Sequence, residues 1–301
     1  MQETTTLSKL SALQTAVLKC IVYSDLFDFP LTAEEIHHWL SVPASLEDVT
    51  GALHSDPLAS MLTHAGAFVT LRGREPVVAL RVHRRDTSAI QQRKAVRYGS
   101  LIARLPFVRM VAITGSLAAD NADEDDDLDY LIVTAPGRVW LTRTMIMAIG
   151  RIAALRGVTL CPNYLLAETA LALGEHDFYT ARELLQMRVV AGQATYQRML
   201  DENAWWRTFL PNVVLEGSVG AMHASPLRNL RRLIEAVLRM PPSDVLERWV
   251  YRRKAAELRR TAGGPEAVYD ETMCKGHSDA WKHRTQRRLE ERMRQLLEGA
   301  S

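Results

Sequence analysis

The sequence has few cysteines, no repeated segment and no long apolar run, and each absence excludes a class of protein. Its three cysteines, Cys20, Cys161 and Cys274, lie far apart and form no C-x-x-C pair. This spacing argues against a zinc site and a disulfide framework, and it favours a reducing cytoplasm. No run reaches the roughly 20 apolar residues of a membrane span, and the amino terminus lacks the pattern of an export signal. We therefore expect a cytoplasmic protein without a membrane partner.

The composition is that of an ordinary globular protein and names no partner. Apolar residues make up 47% and charged residues 24% of the 301 positions, and a chain of this length predicts two or three compact units. Lys and Arg number 37 against 35 Asp and Glu, so the overall charge is nearly balanced. The basic excess falls after Pro226, in the carboxy-terminal part of the chain.

The stretch from Val111 to Thr134 carries the strongest motif. It reads as an apolar strand, a turn at Gly115 and Ser116, a polar connection, and a second apolar strand entered through Asp127 and Asp129. Alternate side chains of a strand share a face, so the two carboxylates are expected to project together. Such a pair repels itself unless a cation lies between, and hard oxygen ligands suit a partly hydrated Mg²⁺. The alternative is a solvated acidic loop, because charge runs usually face water.

This order of residues resembles the DNA polymerase beta-like nucleotidyltransferase superfamily. The matching segments are Ile113 to Ser116 and Asp127 to Asp129, followed by the apolar residues Tyr130 to Val133. The resemblance implies an enzyme that binds a nucleoside triphosphate such as ATP with Mg²⁺ or Mn²⁺ and transfers its nucleoside monophosphate to an unidentified acceptor. It also implies that Gly115 lets the backbone approach the triphosphate, that Ser116 donates to it, and that Asp127 and Asp129 hold the metal.

The third strand departs from the family pattern. The family usually places a third carboxylate there, whereas the polar residue of the strand predicted from Gly157 to Leu166 is Asn163. An amide can coordinate a metal through its oxygen but cannot accept a proton at neutral pH. Glu168 and Glu183 are the alternatives for the missing acid. Arg143, on the helix predicted from Arg138 to Leu155, is a candidate phosphate ligand, although an exposed helix arginine is the commoner outcome.

Residues 1–87 are expected to form a separate module. Three predicted helices and a hairpin resemble a winged helix-turn-helix. The helices are predicted at Leu7 to Leu26, Thr32 to Leu40 and Ser45 to His54, and the hairpin pairs Phe68 to Leu71 with Val77 to Arg81. The third helix offers acidic side chains to DNA, while the hairpin is basic. We therefore expect at most weak, non-specific nucleic-acid contact. Docking on the catalytic domain or on a second subunit, as in a homodimer, is the favoured alternative.

The predicted fold is α/β (α+β), with three parts. They are the winged-helix-like module, a nucleotidyltransferase domain at 88–200 whose sheet is covered by helices on one side, and an all-helical carboxy-terminal region at 201–301. Two other functions remain open. One is a winged-helix regulator with a degenerate transferase domain that senses nucleotides, and the other is a non-catalytic assembly protein.

Overall fold

A computed structural model of the chain describes residues 10–215, 228–238, 240–261, 264, 266–276 and 281–299. Within these ranges the protein is a mixed α/β molecule with a three-stranded and a six-stranded sheet. The expected α/β class is therefore confirmed. No helix in the described part of the chain combines the length and apolar character needed to cross a membrane.

The amino-terminal module combines helices α1 (Ala12–Asp25), α2 (Ala33–His38) and α3 (Leu46–Leu53) with the small sheet, whose order is β1 (Leu31–Thr32), β3 (Phe68–Leu71), β2 (Leu62–Ala65). A capping box begins each helix, at Ser11, Thr32 and Ser45. In each box the side chain accepts from a backbone N–H that the helix itself leaves unpaired. The predicted starts of the second and third helices are thus confirmed, whereas the first helix begins later than expected.

The predicted hairpin was wrong. Phe68–Leu71 pairs with Leu62–Ala65, across a turn where Gly66 has a φ of +63°. The expected second arm instead opens the long helix α4 (Val77–Ala103), which follows Pro76. A short apolar run such as Val77 to Leu80 fits a buried helix as well as a strand, so its pattern alone did not decide between them.

Two basic residues of that segment are bound within the protein. Arg74 pairs with Asp25 and Asp28, and Arg81 pairs with Glu35. These ion pairs join β3 and α4 to α1 and α2. Arg74 and Arg81 thus bind the protein itself, whereas Arg72 and Arg85 are exposed.

The central sheet has the strand order β7-β4-β5-β6-β9-β8. Its strands are β4 (Val108–Ile113), β5 (Leu128–Thr134), β6 (Leu160–Ala167), β7 (Arg188–Ala191), β8 (Val268–Tyr269) and β9 (Met273–Lys275). Only β5 and β6 pair in parallel among the described strands, and helix α6 (Val139–Ala154) connects them. The three strands expected from the motif are present, and β7, β8 and β9 were not foreseen.

Pro162, within the predicted third strand, indicates an edge strand or a bulge. The pairing of β5 with β6 steps from Asp129 opposite Cys161 to Leu131 opposite Tyr164, so a bulge lies at Pro162. The edge interpretation was wrong, because β6 pairs with β9 on its other side. Proline has no N–H to donate to a ladder, and the bulge accommodates that loss.

Helices cover both faces of the central sheet, so the expectation of helices on one side was wrong. One face packs against α4, α6 and α11 (Pro241–Thr261), and the other against α7 (Phe178–Gln186), α8 (Gln193–Glu202) and α9 (Trp206–Phe209). Strand β5 shows the reason, since Tyr130 and Ile132 are buried on the first face and Leu131 and Val133 on the second. A strand that is apolar on both faces needs a layer on each.

The carboxy-terminal part is not all-helical, which corrects that expectation. Besides α10 (Arg228–Val237), α11 and α12 (Trp281–Gly299), it contributes the hairpin β8–β9, which extends the central sheet beside β6. Helix α12 packs on the amino-terminal module through Leu289, which is buried in the same cluster as α1. The division at residue 87 falls inside α4, and the domain assignment stays a prediction.

Candidate active site

The predicted site lies at one edge of the central sheet, where β4 ends and β5 begins. Gly115 follows β4 with a φ of +68°, a conformation that favours glycine. A Cβ at this position would lie 2.5 Å from the Asp129 Oδ2 atom. The Thr114 N–H also donates to the Asp129 carbonyl at 3.0 Å. The glycine is thus required both by the turn and by the close approach of the carboxylate.

Asp129 and Asn163 are brought into direct contact. The Asn163 Nδ2 atom donates to the Asp129 Oδ1 atom at 2.6 Å. The Cys161 thiol donates to the Asn163 Oδ1 atom at 2.9 Å, which fixes the orientation of the amide. Asn163 therefore lies beside the second aspartate of the motif, where a third carboxylate was expected.

The carboxyl group of Asp129 has an unusual pKa of about 7. Burial is the largest cause, and the charges of Asp127, Asp126 and Glu183 raise the pKa further, against the hydrogen bond from Asn163, which lowers it. Near neutral pH this carboxyl group is therefore partly protonated. A cation at the site would lower this pKa by favouring the carboxylate.

Asp127 differs from Asp129 in its surroundings. It is exposed and precedes β5, and it has no hydrogen-bond or ion-pair partner among the described residues. Burial is the main cause of the raised pKa values of Asp129 and Cys161, and the charge of Asp127 adds to both. The charges of both aspartates therefore influence the same site, with Asp129 on β5 and Asp127 in the loop before it.

Ser116 opens the short helix α5 (Gly115–Ala118) together with Gly115. Its hydroxyl donates to the Asp126 Oδ2 atom at 2.7 Å. The predicted alternative of a solvated acidic loop is partly correct, because the residues from Asp123 to Asp127 are exposed. However, Asp123 pairs with Arg84 of α4 at 2.8 Å, so the loop is tied to the protein.

The two candidates for the missing acid lie in different places. Glu168 follows the far end of β6, where its N–H donates to the Thr134 carbonyl and its carboxylate approaches Arg198. A strand rises about 3.3 Å per residue, which puts Glu168 on the order of 20 Å from the start of β6. Its candidacy was wrong for this reason.

Glu183 lies on α7, which covers the face of the sheet that carries Leu131 and Val133. Its charge contributes to the raised pKa of Asp129, and burial raises the pKa of Glu183 itself. Among the described residues its carboxylate has no hydrogen-bond or ion-pair partner. It is the one of the two candidates that lies close enough to act on Asp129.

Arg143 lies on α6 and is directed toward β9. Burial raises the pKa of the Cys274 thiol, and the positive charge of the Arg143 guanidinium opposes the rise. The Nε atom of Arg143 is buried and has no partner in the described part of the chain. The described contacts place Arg143 beside the thiol and not on Ser116, Asp127 or Asp129, so a phosphate-binding role stays a prediction.

The carboxy-terminal hairpin reaches the site through the backbone. The Gly276 N–H donates to the Asn163 carbonyl at 3.2 Å, and the Lys275 ammonium pairs with Glu175 at 3.3 Å. The polar sequence from Lys275 to His277 predicts a surface turn that could lie over the site, and His277 is outside the described residues. The sequence signal for the hairpin was the two apolar pairs Val268-Tyr269 and Met273-Cys274 on either side of three polar residues.

The donor set fits a hard, partly hydrated cation. No group of three or more His, Cys, Asp or Glu side chains that could hold a metal occurs in the part of the chain that the structure describes. Asp127 and Asp129 alone supply two carboxylates, and the Gly115 turn leaves no room for a side chain beside the Asp129 Oδ2 atom. Mg²⁺ commonly binds through one or two carboxylates and keeps several waters for phosphate exchange.

No family model, curated protein or solved structure matches this chain. The resemblance to nucleotidyltransferases therefore depends on the motif residues and on their arrangement in this fold.

Proposed function

We propose that this protein is a metal-dependent nucleotidyltransferase. The observation that carries the proposal is the packing of Gly115 against Asp129. Gly115 has a positive φ at the end of one strand, and its ideal Cβ lies 2.5 Å from a carboxylate oxygen of Asp129 on the next strand. Gly115 and Asp129 are separated in the sequence, yet they meet at one sheet edge, and this contact supports the proposal.

The residues have distinct roles in this reaction. Asp127 and Asp129 would hold Mg²⁺ or Mn²⁺, which would neutralise phosphate charge and stabilise the pyrophosphate that leaves. Gly115 allows the backbone to approach the triphosphate, and the Ser116 hydroxyl donates to a phosphate oxygen. The acceptor forms a bond to the α-phosphorus while the bond to the β-phosphate oxygen breaks. Glu183, half-buried near Asp129, is the side chain we assign to the acceptor proton.

A calorimetric titration tests the proposal. Mg²⁺ complexes of ATP, CTP, GTP and UTP are titrated into wild type, Asp127→Asn, Asp129→Asn and the control Asp125→Asn, and released pyrophosphate is measured in parallel. We expect at least one nucleotide to bind, and the first two variants to weaken its binding at least about tenfold, because each loses a metal-binding charge. The control removes the same charge from an exposed neighbour that has no partner among the described residues, and it should bind like wild type.

The pH dependence provides a second measurement. The pKa of Asp129 is raised to about 7, so the group is largely protonated below that pH and cannot take a cation. Mg²⁺ binding should therefore tighten as the pH rises from about 6 to about 8, by up to about tenfold per unit below the pKa. Nucleotide binding that does not depend on metal, on pH or on Asp129 would contradict the proposal.

A nucleotide sensor is the second candidate function. The observation that favours it is the Asn163 amide at 2.6 Å from Asp129, in the place where the family has a proton-accepting carboxylate. The same titration separates the two functions. A sensor binds the Mg²⁺ nucleotide without releasing pyrophosphate, and Glu183→Gln then leaves the measurements unchanged.

A further inference from the structure

The Ser116 hydroxyl is already engaged by a side chain outside the Asp-x-Asp motif. It donates to the Asp126 Oδ2 atom at 2.7 Å. A serine hydroxyl has one proton to donate, so it cannot donate to a phosphate oxygen while Asp126 holds it. Asp126 therefore competes with the phosphate oxygen for the proton of the Ser116 hydroxyl.

The position of Asp126 is fixed by its own loop. The Asp123 N–H donates to the same Asp126 Oδ2 atom at 3.1 Å. Arg84 of α4 holds Asp123 with two hydrogen bonds of 2.9 and 2.8 Å. The loop is also joined to α4 where the Ala122 N–H donates to the Ser88 hydroxyl at 3.0 Å. The Asp126 carboxylate is thus held beside the Ser116 hydroxyl by a loop that is itself bonded to α4.

The charge of Asp126 also acts on the motif. Burial is the largest cause of the raised pKa of Asp129, and the charge of Asp126 raises this pKa further. Asp126 contacts Ser116 and Asp129 lies against Gly115, so two carboxylates border the Gly115-Ser116 turn. A triphosphate is strongly negative itself, and like charges at contact distance repel by an amount that grows as water is excluded.

We propose that Asp126 makes the site selective for polyphosphates that arrive with their cation. A triphosphate without a cation meets the Asp126 carboxylate, which repels the triphosphate and already binds the Ser116 hydroxyl. A metal-bound triphosphate carries compensating positive charge and displaces Asp126 from the hydroxyl. The inference rests on the proposed function, since it concerns the same turn. It assigns to Asp126 a role in specificity, distinct from the metal-binding role of Asp127 and Asp129.

The test uses the full chain and an anion without a base, inorganic tripolyphosphate, together with the nucleotide that binds best. Wild type, Asp126→Asn and Asp125→Asn are titrated by calorimetry, once with EDTA and once with excess Mg²⁺. The amide introduced by Asp126→Asn keeps an acceptor oxygen for Ser116 and Asp123 but lacks the charge. Asp125 is exposed and has no partner among the described residues, so its variant controls for net charge.

We expect Asp126→Asn to bind tripolyphosphate in EDTA at least about tenfold more tightly than wild type, with less than about threefold change in Mg²⁺. Asp125→Asn should follow wild type in both conditions. Equal affinities of wild type and Asp126→Asn in EDTA overturn the role of Asp126, as does an equal gain in Asp125→Asn. Weaker binding of Asp126→Asn in Mg²⁺ also overturns it, because Asp126 would then be a metal ligand.

The proposed function fails by a different result. If wild type binds Mg²⁺ tripolyphosphate but no Mg²⁺ nucleotide, and Asp126→Asn gains affinity for tripolyphosphate in EDTA, the transferase proposal is wrong and the selectivity of the turn is retained. Melting curves of the three proteins without ligand exclude misfolding as the cause of any difference.

Discussion

Gly115 shows how a single residue links the fold to the proposed chemistry. Its φ of +68° strains any side chain, and a Cβ would also lie 2.5 Å from the Asp129 Oδ2 atom. Asp129 cannot easily yield, because Asn163 holds its other oxygen. The turn and the carboxylate therefore constrain each other.

We expect Gly115→Ala to weaken metal-dependent nucleotide binding at least about tenfold and to destabilise the protein. Gly137→Ala is the matched control, because Gly137 has a φ of +65° with nothing within 4 Å of its ideal Cβ. Both variants carry the left-handed backbone cost of about 1–2 kcal/mol, and only Gly115→Ala displaces Asp129. Urea unfolding and nucleotide titration measure the two effects. Identical behaviour of the two variants would show that the close contact does not matter.

At the scale of elements, the Glu235 carboxylate helps to join helix α10 to the central sheet. Glu235 accepts from the Phe107 N–H at 2.8 Å and pairs with Arg109 at 3.1 Å and with Arg231 at 3.0 Å. Burial raises the pKa of Glu235, but the hydrogen bonds and charges of these partners have the larger effect and lower the pKa to about 2. The helix is thus held to the start of β4 by a group that is ionised over most of the pH range.

Glu235→Gln should destabilise the protein by about 1–3 kcal/mol near neutral pH, the usual contribution of hydrogen bonds to a charged group. A carboxyl with a lowered pKa adds stability above its ordinary value of 4.5, and this stability is lost as the pH falls toward 2. The difference between wild type and variant should therefore shrink below pH 4.5. Urea unfolding near neutral pH and again between these two values measures it. Glu257→Gln, whose partner is Lys254 on an exposed surface, should match wild type in both conditions.

At the scale of the whole molecule, the two ends of the chain share one core. Leu289 of α12 is buried with residues of α1, and Phe178 and Tyr179 of α7 pack against the same cluster. The Phe27 carbonyl also accepts from the Asn121 side chain in the acidic loop. The amino-terminal module is therefore docked on the rest of the protein, as the favoured alternative to DNA recognition expected, and weak non-specific DNA contact stays a prediction.

Leu289→Ala should lower the free energy of unfolding by about 2–4 kcal/mol, because it opens a cavity where the ends of the chain meet. Leu155→Ala is the control, since Leu155 is 87% exposed. If the ends form one cooperative unit, urea unfolding of the variant is a single transition at a lower midpoint with an unchanged slope. A separate early transition would show that the amino-terminal module unfolds independently.

The sequence alone predicted the features that depend on local patterns. The strands beside Gly115 and Asp129, the cap residues Thr32 and Ser45, and the bulge near Pro162 were all readable because each follows from the conformational preferences of a few neighbouring residues. The strand period of two predicted that Asp127 and Asp129 would project together, but only Asp129 lies in β5, and Asp127 precedes it.

Only the tertiary structure decided what depends on contacts between distant segments. Val77 to Leu80 became part of a helix because the partner of β3 is Leu62–Ala65, and apolar composition could not select between these pairings. The arrangement of the site depends on residues that are about ten or more positions apart in the sequence. Asn163 contacts Asp129, and the Ser116 hydroxyl donates to Asp126. Glu183 lies near Asp129, whereas Glu168 lies far from it. Such contacts are set by how sheets and helices pack, which a local pattern does not contain.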